Sequence, residues 1–408
     1  MTHRPTAVII GCGLAGPVSA IALARSGFDV TVHEARASPG GGAFLNLASN
    51  GLAALRALGI DRRIASEGFA TPRMVMWSGS GKRLGEVPNG MTLADGTSSI
   101  TVQRASLHRV LRQEAERHGI PIMDGHRAIA VETLARGAAL ARFDDGSEIT
   151  ADVVVGADGL WSRTRRAVDP DAPRPRFTRM LSIGGLASVP SVGPTPQTFH
   201  MVFGRRAFFG FSVTASREVY WFANVVRDTE PKREELASTP IETWRARLLE
   251  LFDGDHGPMR AVLEASNAMT VHPVNEMPPV PRWHRGRLVL VGDAAHATSP
   301  TSGQGASMAF EDAVVLATCL GRSSTIEHAL EAYVDRRRAR VERVARWSKR
   351  VGSTKVLGPV GRWLRDLVMP IALSRVASAE AQRWLYDPIE EEPTTGTSAR
   401  DTQARLSP

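Results

Sequence analysis

The sequence lacks the features that would support a disulfide framework, a metal centre or a membrane span. Its two cysteines among 408 residues, Cys12 and Cys319, fall in a glycine-rich turn and a predicted helix, so we expect no structural disulfide and a reducing compartment. Apart from residues 7–27, where glycines, a proline and Arg25 intervene, no stretch approaches the roughly 18 consecutive apolar residues of a membrane helix. Neither a metal-ligand spacing nor a nucleophile arrangement is recognisable. These absences favour a cytoplasmic protein without a metal or an integral membrane segment.

Lysine is also scarce, so the positive charge is carried almost entirely by arginine. Fifty basic residues, of which four are lysines, stand against 42 acidic ones and give a net charge of +8. Such a bias occurs in nucleic-acid-binding proteins, but a genome rich in guanine and cytosine produces it as well. No basic run is interleaved with the aromatic or turn residues of a known nucleic-acid module. We therefore expect no nucleic-acid partner, and a mildly positive field that helps to attract anionic ligands.

The pattern of apolar residues predicts an α/β fold. Residues 6–10 and 28–33 read as buried strands on either side of a helix over residues 14–26, which completes a β-α-β unit. Residues 152–155 and 287–291 are further buried strands. Between about residues 174 and 282, short runs alternate apolar and polar positions, as in an antiparallel sheet with one buried face.

This change of pattern predicts a Rossmann-like nucleotide-binding domain with an inserted antiparallel β-sheet substrate domain and C-terminal helices. The predicted boundaries are 1–71, 98–173 and 283–324 for the first, 72–97 and 174–282 for the second, and 325–388 for the helical region. We expect residues 389–408, acidic and then rich in Thr, Ser and Gly, to be disordered. A helix over residues 326–349 carries six arginines and an apolar stripe. We interpret it as a solvated helix docked on the first domain, with contact to an anionic membrane or nucleic acid as the alternative.

The first chemical motif is the GCGLAG sequence of residues 11–16, between the first strand and the first helix. Gly11 permits a tight turn, Gly13 lets a pyrophosphate approach the backbone, and Gly16 lets the helix pack close to the strand. The helix N-terminus offers free N–H groups and a partial positive charge to the phosphates. Glu34 ends the next strand, where a carboxylate can accept ribose hydroxyls. Together these features predict adenine dinucleotide binding without separating NAD from FAD.

A second motif, RLVLVGDAAH over residues 287–296, favours FAD. It places Asp293 at the end of a buried strand, and a PTSGQG turn over residues 300–305 follows before another helix. The ribityl hydroxyls of FAD need such a carboxylate. The flavin ring also needs N–H donors and a positive helix end where negative charge collects on reduction.

These segments resemble the "GD" signature of group A flavoprotein monooxygenases, the para-hydroxybenzoate and salicylate hydroxylase-like enzymes. GADGLWSRTR over residues 156–165 is similar to the "DG" signature of that family, and QRASL over residues 103–107 to the segment whose arginine touches FAD. The resemblance covers roughly residues 5–388. The cofactor-binding positions it implies are Gly11, Gly13, Leu14, Ala15, Gly16, Glu34, Ala35, Arg36, Arg104, Asp158, Gly159, Asp293, Gly303, Gln304, Gly305 and Ala306.

The resemblance further implies that NAD(P)H, as NADPH or NADH, reduces the flavin and that dioxygen then gives a flavin C4a-hydroperoxide. That species would hydroxylate or epoxidise a small aromatic or polycyclic substrate bound by a monomer or homodimer. Weak catalytic or anchoring candidates are Asn46, which would face the substrate, and His200, Arg205 and Tyr220 in the aromatic-rich sheet. The alternatives are a related flavin-dependent reductase or oxidase without oxygen insertion, and a non-catalytic binding protein that keeps the fold.

Overall fold

The computed structural model describes residues 4–36, 42–135, 137–352, 357–376 and 379–388. The tail over residues 389–408 that we expect to be disordered lies outside these ranges. Within them, no helix combines the length and apolarity that crossing a bilayer requires.

Nineteen strands are assigned within the described ranges. They are β1 (Thr6–Ile10), β2 (Asp29–Glu34), β3 (Phe44–Leu47), β4 (Gly68–Ala70), β5 (Arg73–Ser78), β6 (Arg83–Pro88), β7 (Ile100–Gln103), β8 (Ile122–Asp124), β9 (Ala128–Thr133), β10 (Ala139–Phe143), β11 (Glu148–Ala151), β12 (Val153–Gly156), β13 (Arg176–Ser188), β14 (Thr198–Phe203), β15 (Phe208–Val213), β16 (Glu218–Val226), β17 (Thr270–Glu276), β18 (His284–Arg285) and β19 (Leu288–Leu290).

Thirteen helices are assigned in the same ranges. They are α1 (Ala15–Arg25), α2 (Ser49–Ala57), α3 (Asp61–Ala65), α4 (Arg104–Arg117), α5 (Arg163–Val168), α6 (Arg233–Ser238), α7 (Ile241–Leu251), α8 (Met259–Ala265), α9 (Asp293–His296), α10 (Gly305–Arg322), α11 (Ile326–Gly352), α12 (Pro359–Val376) and α13 (Ala379–Tyr386).

A six-stranded sheet in the order β18-β19-β12-β1-β2-β8 forms the centre of the nucleotide-binding part. Its strands pair in parallel except for the short edge pair β18–β19. Helices α1 and α10 pack against each other next to this sheet, and the strand residues are buried as near-continuous apolar runs because both faces of a parallel sheet are covered. The predicted α/β class with a Rossmann-like core is confirmed.

A seven-stranded sheet in the order β17-β13-β16-β15-β14-β5-β6 forms the second part. It is antiparallel as predicted, except that β14 pairs with β5 in parallel. Residues 79–197, which include the 98–173 segment of the nucleotide-binding part, separate β5 from β14 along the chain, so no short hairpin fixes their relative direction. We keep the predicted domain boundaries as a proposal, since the strands of this sheet come from residues 73–88 and 176–276.

The two faces of the seven-stranded sheet have different surroundings. One face carries Phe209 and Trp221, which pack with Leu248 of α7 and Val262 of α8 into a closed core. The other face carries Tyr220 and turns toward the small sheet β3-β7-β4. The two parts of the molecule therefore meet along this second face, and we call the region between them the cleft.

Candidate functional site

The ends of three neighbouring parallel strands bring together three sequence motifs that are far apart along the chain. The N–H of Ala157 donates to the carbonyl of Ile10 at 2.9 Å, and the N–H of Val291 donates to the carbonyl of Gly156 at 3.1 Å. The turns after β1, β12 and β19 therefore lie side by side at the carboxyl edge of the sheet. Ligands of open α/β sheets bind at such an edge.

The three glycines of the first turn differ in what a side chain at each position would contact. A Cβ on Gly16 would stand 2.0 Å from the carbonyl oxygen of Gly11, and a Cβ on Gly11, whose φ is +102°, would stand 2.6 Å from that of Ala157. These two positions are dictated by packing of the chain on itself. A Cβ on Gly13 would meet nothing within 4 Å. Gly13 therefore borders open space at the N-terminus of α1, beside half-buried Leu14 and Ala15.

Glu34 ties the first turn to the end of β2. Its Oε2 accepts the N–H of Cys12 at 2.7 Å, and its Oε1 accepts the N–H of Arg36 at 3.0 Å, across Ala35. Burial raises the pKa of the Cys12 thiol to about 12, so Cys12 is neutral and unreactive. A carboxylate oxygen has more than one lone pair, so Glu34 retains accepting capacity for a ligand hydroxyl. The Arg36 side chain is exposed.

Asp158 serves mainly to fix its own loop. Its Oδ1 accepts the hydroxyl of Ser162 at 2.5 Å, and its Oδ2 accepts the N–H groups of Arg163 and Thr164 at 2.8 and 3.0 Å. These bonds satisfy free N–H groups at the start of α5. The next residue, Gly159, has a φ of +73°, and a Cβ there would again meet nothing within 4 Å.

The third turn presents Asp293 at the surface. Gly292 is buried with a φ of +58°, and a Cβ at this position would stand 3.2 Å from the Cβ of Ala15 and 3.0 Å from that of Ala309. The chain therefore bends sharply between α1 and α10, and the side chain of Asp293 is exposed on the far side of the bend.

The turn before α10 completes this edge of the cleft. Gly303 is left-handed with a φ of +62°, and a Cβ on Gly305 would meet nothing within 4 Å. Gln304 is 1% exposed and its Oε1 accepts the side-chain amide of Asn50 at 3.0 Å. The N-terminus of this 18-residue helix, with half-buried Ala306, thus opens toward the same region as Asn46, whose Oδ1 is 3.9 Å from the Cβ position of Gly303.

A network of buried charged side chains lies behind the turns that contain Gly292 and Gly303 and supports both of them. Arg337 of α11 is 0% exposed and lies 2.8 Å from the Glu311 carboxylate and 2.7 Å from that of Asp312, both on α10. Arg340 donates to Glu311 at 2.8 Å, and Glu311 also accepts the amide of Asn50 at 2.8 Å. Burial alone would raise the pKa of Glu311. The attraction of its carboxylate to Arg337 and Arg340 outweighs this effect, so the pKa of Glu311 is lowered.

Helix α11 packs on α10, in keeping with the expected docking of residues 326–349, but its arginines are not all solvated, because Arg337 is fully buried and Arg340 is largely buried. The acidic pair of residues 311–312 within an otherwise apolar predicted helix was the available signal. An acid that interrupts a buried apolar run needs a partner, and the next helix offers six arginines.

The opposite wall of the cleft carries aromatic groups. The amide of Gln103, at the end of β7, donates to the hydroxyl of Tyr220 at 3.1 Å. Rings from two strands of the small sheet contact the same tyrosine, with centroid distances of 5.5 Å for Phe44 and 5.1 Å for Phe69. Burial raises the pKa of Tyr220, and the charge of Glu218 adds to this, while the hydrogen bond from Gln103 opposes it, so the phenol is neutral.

Arg104 and Asn46 border the cleft on the nucleotide-binding side. The half-buried Arg104 begins α4 and packs its Cδ 2.7 Å from the Cβ position of Gly42. The side-chain amide of Asn46 donates to Thr71 at 3.2 Å and to the carbonyl of Ile100 at 3.3 Å, which leaves its Oδ1 directed toward the Gly303 turn.

The structure does not bring His200 or Arg205 to this cleft. His200 lies on the closed face of the sheet, where it stacks on Phe211 at 5.0 Å and accepts the indole N–H of Trp77 at 2.9 Å. Arg205 lies in the loop after β14, and its backbone N–H donates to Asp255 at 3.0 Å. Strand alternation shows that residues 199 and 200 face opposite sides, but it does not show which side borders the cleft. We drop both as candidates.

Within the described ranges, no three His, Cys, Asp or Glu side chains are grouped as metal ligands. Three open glycines, at positions 13, 159 and 305, instead line one edge of the cleft. Each is next to a helix N-terminus or a strand end, an arrangement suited to a long phosphate-containing ligand.

Comparison with known proteins agrees with this geometry. The sequence model of the family described as "FAD binding domain" matches residues 4–348. The chain belongs to this family. Aurachin C monooxygenase/isomerase of Stigmatella aurantiaca is 31% identical over 364 residues, with 88% of this chain and 90% of the relative covered. A 3-amino-4-hydroxybenzoate 2-monooxygenase of Streptomyces platensis is 32% identical over 405 residues, with 94% and 96% covered.

Solved structures extend the likeness of this family member to the whole fold. HpxO of Klebsiella pneumoniae complexed with FAD and uric acid matches with a TM-score of 0.83 at 24% identity, covering 94% of this chain and 97% of that one. The tetrameric form of 2-methyl-3-hydroxypyridine-5-carboxylic acid oxygenase matches with a TM-score of 0.74 at 23% identity, covering 96% and 100%. The family member is an FAD-dependent monooxygenase, as the sequence predicts, and the relatives do not favour the alternative of a reductase without oxygen insertion.

Proposed function

We propose that this monooxygenase uses NAD(P)H and dioxygen to hydroxylate a small aromatic substrate held between the flavin ring and the aromatic wall. One observation about β3 carries the proposal. Asn46 stands beside the Gly303 turn, while Phe44, two residues earlier and therefore on the same side of the strand, contacts Tyr220 at 5.5 Å. A single short strand thus joins the proposed flavin edge to the wall of the seven-stranded sheet.

The residues that border the first edge of the cleft fit FAD. Gly13, Gly159 and Gly305 leave room for backbone approach, the α1 N-terminus faces the pyrophosphate position, and Glu34 retains accepting capacity for ribose. Asp293, exposed beyond its bend, would hold the ribityl hydroxyls. The amides of residues 303–306 would face the flavin ring, and Arg104 the phosphate or ribityl region. When bound, FAD supplies the redox chemistry that takes electrons from NAD(P)H and delivers one oxygen atom of dioxygen.

The protein side chains bind and orient the substrate ring. Neutral Tyr220, fixed by Gln103, offers a phenol rather than a phenolate to the cleft, so it can hydrogen-bond without adding negative charge. Phe44 and Phe69 exclude water from the ring position and stack at its edges. The Oδ1 of Asn46 can accept a hydrogen bond from a substrate hydroxyl or amine. Asp158 acts by holding its loop.

The relatives suggest where to look for the substrate. They include a 6-hydroxynicotinate 3-monooxygenase and a 3-amino-4-hydroxybenzoate 2-monooxygenase, whose named substrates are single rings that carry electron-donating groups. We expect this chain to act on a ring of the same electronic character, in the cytoplasm, as a monomer or homodimer and without a nucleic-acid partner. Both NADH and NADPH stay candidates for the reductant.

The test measures product mass with isotopic oxygen. The holoenzyme is incubated with NADH or NADPH and ¹⁸O₂ and a panel of phenols, hydroxypyridines, hydroxyquinolines and polycyclic quinones. We expect substrate-stimulated oxidation of the reductant and a product that has gained one ¹⁸O atom. Reduction of a panel member without dioxygen, or release of hydrogen peroxide alone across the whole panel, would contradict the proposal.

A further inference from the structure

The cleft-facing side of the seven-stranded sheet continues well beyond Tyr220. Strand alternation and register place Phe199, Met201 and Phe203 of β14 on this side, opposite Met74 and Met76 of β5. The other side of the same sheet is closed by α7 and α8. Three of these residues, Met74, Met76 and Met201, are only half-buried, although the sheet is central to the molecule.

A row of aromatic rings connects the substrate position to the far end of this side. Phe44 lies 6.4 Å from Phe222, Phe222 lies 6.0 Å from Phe208, and Phe208 lies 5.0 Å from Phe203, centroid to centroid. The row crosses three neighbouring strands and contains no charged group. It forms an apolar floor that leads away from the proposed flavin edge.

Helix α12 closes the far end of the floor. Its Met369 packs on the cluster of Leu84, Phe203 and Phe208, together with Met76 and Met201. Leu373 of the same helix comes within 2.8 Å of the Cβ position of Gly85 on β6. Three methionines from three separate elements, Met76, Met201 and Met369, therefore meet at the end of the aromatic row. We call these three the methionine wall.

The buried Arg365 near the methionine wall is ion-paired, although its Nη1 has no hydrogen-bond partner among the described residues. Arg365 of α12 lies over the ring of Phe203 at 4.7 Å and donates to Asp366 at 2.8 Å. Beyond the flavin end, it is the one buried cation found on this side of the sheet among the described residues. A substrate carboxylate placed here would have to compete with Asp366 for the charge of Arg365, and its desolvation would be costly. An uncharged apolar group would instead meet flexible, polarisable side chains that adapt to its shape.

We propose that the substrate is an aromatic ring with an uncharged apolar extension, and that the extension lies along the aromatic row against the methionine wall. The proposal rests on the proposed function, because it takes the reacting ring to be at the Phe44 and Tyr220 end. It narrows the substrate class from any small aromatic to rings that carry an alkyl, alkenyl or fused apolar substituent.

A homologous ester series measures this preference by binding alone. Methyl, propyl, pentyl and heptyl 4-hydroxybenzoate are titrated into the oxidised holoenzyme, and the perturbation of the flavin absorbance gives each Kd. Burial of each methylene group strengthens binding by about two- to fourfold, so the heptyl ester is expected to bind at least about 50-fold more tightly than the methyl ester. Equal Kd values across the series would overturn the proposal.

Substitutions in the wall show where the extension lies. Met201→Trp and Met76→Trp fill the end of the floor, so each should reduce the advantage of the heptyl ester at least tenfold while the Kd of the methyl ester stays within about twofold. Met201→Leu keeps the apolar volume and should keep the chain-length dependence. Met123→Trp, at an exposed position on β8 in the other sheet, is the matched control and should change neither.

Outcomes for this inference and for the proposed function can be told apart. Flavin content and the Kd of the methyl ester report whether a variant folds. If Met201→Trp does not fold, Met76→Trp is used in its place. A chain-length dependence that is identical in wild type and in the folded Trp variants overturns the placement of the extension. If the dependence follows the wall but no ester or panel compound gains oxygen, the binding site stands and the monooxygenase substrate class fails. If only rings without a long substituent are hydroxylated and chain length has no effect on Kd, the proposed monooxygenase function stands and the proposed site for the apolar extension fails.

Discussion

The carboxylate of Asp312 accepts the backbone N–H of Gly292 at 2.9 Å, 20 residues away along the chain. The same oxygen lies 2.5 Å from Nε2 of His296, and the other oxygen accepts Nε of Arg337 at 2.7 Å. Burial alone would raise the pKa of Asp312, but the charges of His296 and Arg337 lower it to about 2. An ionised, fully buried carboxylate thus holds the positive-φ turn at Gly292, which precedes the exposed Asp293.

Asp312→Asn should therefore weaken both the fold and FAD binding. The substitution removes the charge that offsets Arg337, and breaking one side of a buried ion network costs about 3 kcal/mol of unfolding free energy or more. A loosened Gly292 turn should raise the Kd for FAD about tenfold. Denaturant unfolding of the FAD-free protein and flavin fluorescence titration measure the two effects.

Asp335→Asn, on the exposed side of α11, provides the control for Asp312→Asn, with an expected change below about 0.5 kcal/mol. Equal stability of the two variants would contradict a supporting role for the buried network.

Asp293→Ala should separate ligand binding from stability. In the described part of the chain no hydrogen bond to the exposed Asp293 carboxylate is found, so its loss should change the unfolding free energy of the FAD-free protein by less than about 0.5 kcal/mol. If it holds the ribityl hydroxyls, FAD should bind about 10- to 100-fold more weakly, because hydrogen bonds to a charged group contribute about 1.5–3 kcal/mol. Unchanged flavin content after dialysis would refute the assigned role.

The nucleotide-binding half was predictable because its signals are local. Buried β-branched runs followed by glycines at fixed spacing indicate strand, turn and helix within a few residues, and the turns at Gly11, Gly159 and Gly292 meet because parallel strands end at one edge. The choice of FAD over NAD depended on Asp293, and this signal is also local because the aspartate directly follows a buried strand within one short motif.

The remaining features depend on contacts between distant elements. The apolar stripe of α11 predicted docking, but only the packing of α11 on α10 shows that Arg337 faces inward. Alternation along β14 separates His200 from Phe199, yet which of the two borders the cleft depends on α7 and α8 covering one face. The parallel pairing of β5 with β14 likewise has no local signal.

Gly305→Ala should stabilise the protein and weaken its cofactor binding. Gly305 is the first residue of α10, and alanine there should add up to about 1 kcal/mol of unfolding free energy through helix propensity. The new Cβ would meet no protein atom within 4 Å, so it would occupy space that we assign to FAD, and the Kd should rise at least about tenfold. Gly321→Ala, exposed at the other end of the same helix, should give the stability gain alone. A variant at position 305 with wild-type FAD affinity would move the flavin away from this helix end.

A buried histidine pair should make stability depend on pH. His33 of β2 is 2% exposed, and its Nδ1 lies 2.7 Å from Nδ1 of His126, while its Nε2 lies 2.9 Å from the hydroxyl of Thr31. Burial, followed by the charge of His126, lowers the pKa of His33 to about 4. The unfolded chain, with a histidine pKa near 6.5, therefore binds a proton in the range from about 6.5 down to 4 that the folded protein does not.

The contribution of His33 to stability is consequently complete above pH 6.5 and is lost as the pH falls toward 4. Between pH 7.5 and 5.0 it should lower the unfolding free energy by about 2 kcal/mol. His33→Gln keeps a polar group next to Thr31 but does not titrate, so denaturant unfolding at the two pH values should show a fall smaller by about that amount in the variant than in wild type. The comparison cancels the titrating groups that do not contact His33, because both proteins share them, and so isolates the histidine pair. If the two proteins lose stability in parallel, the pKa of His33 is the same in the folded and unfolded states, and its burial does not make stability depend on pH.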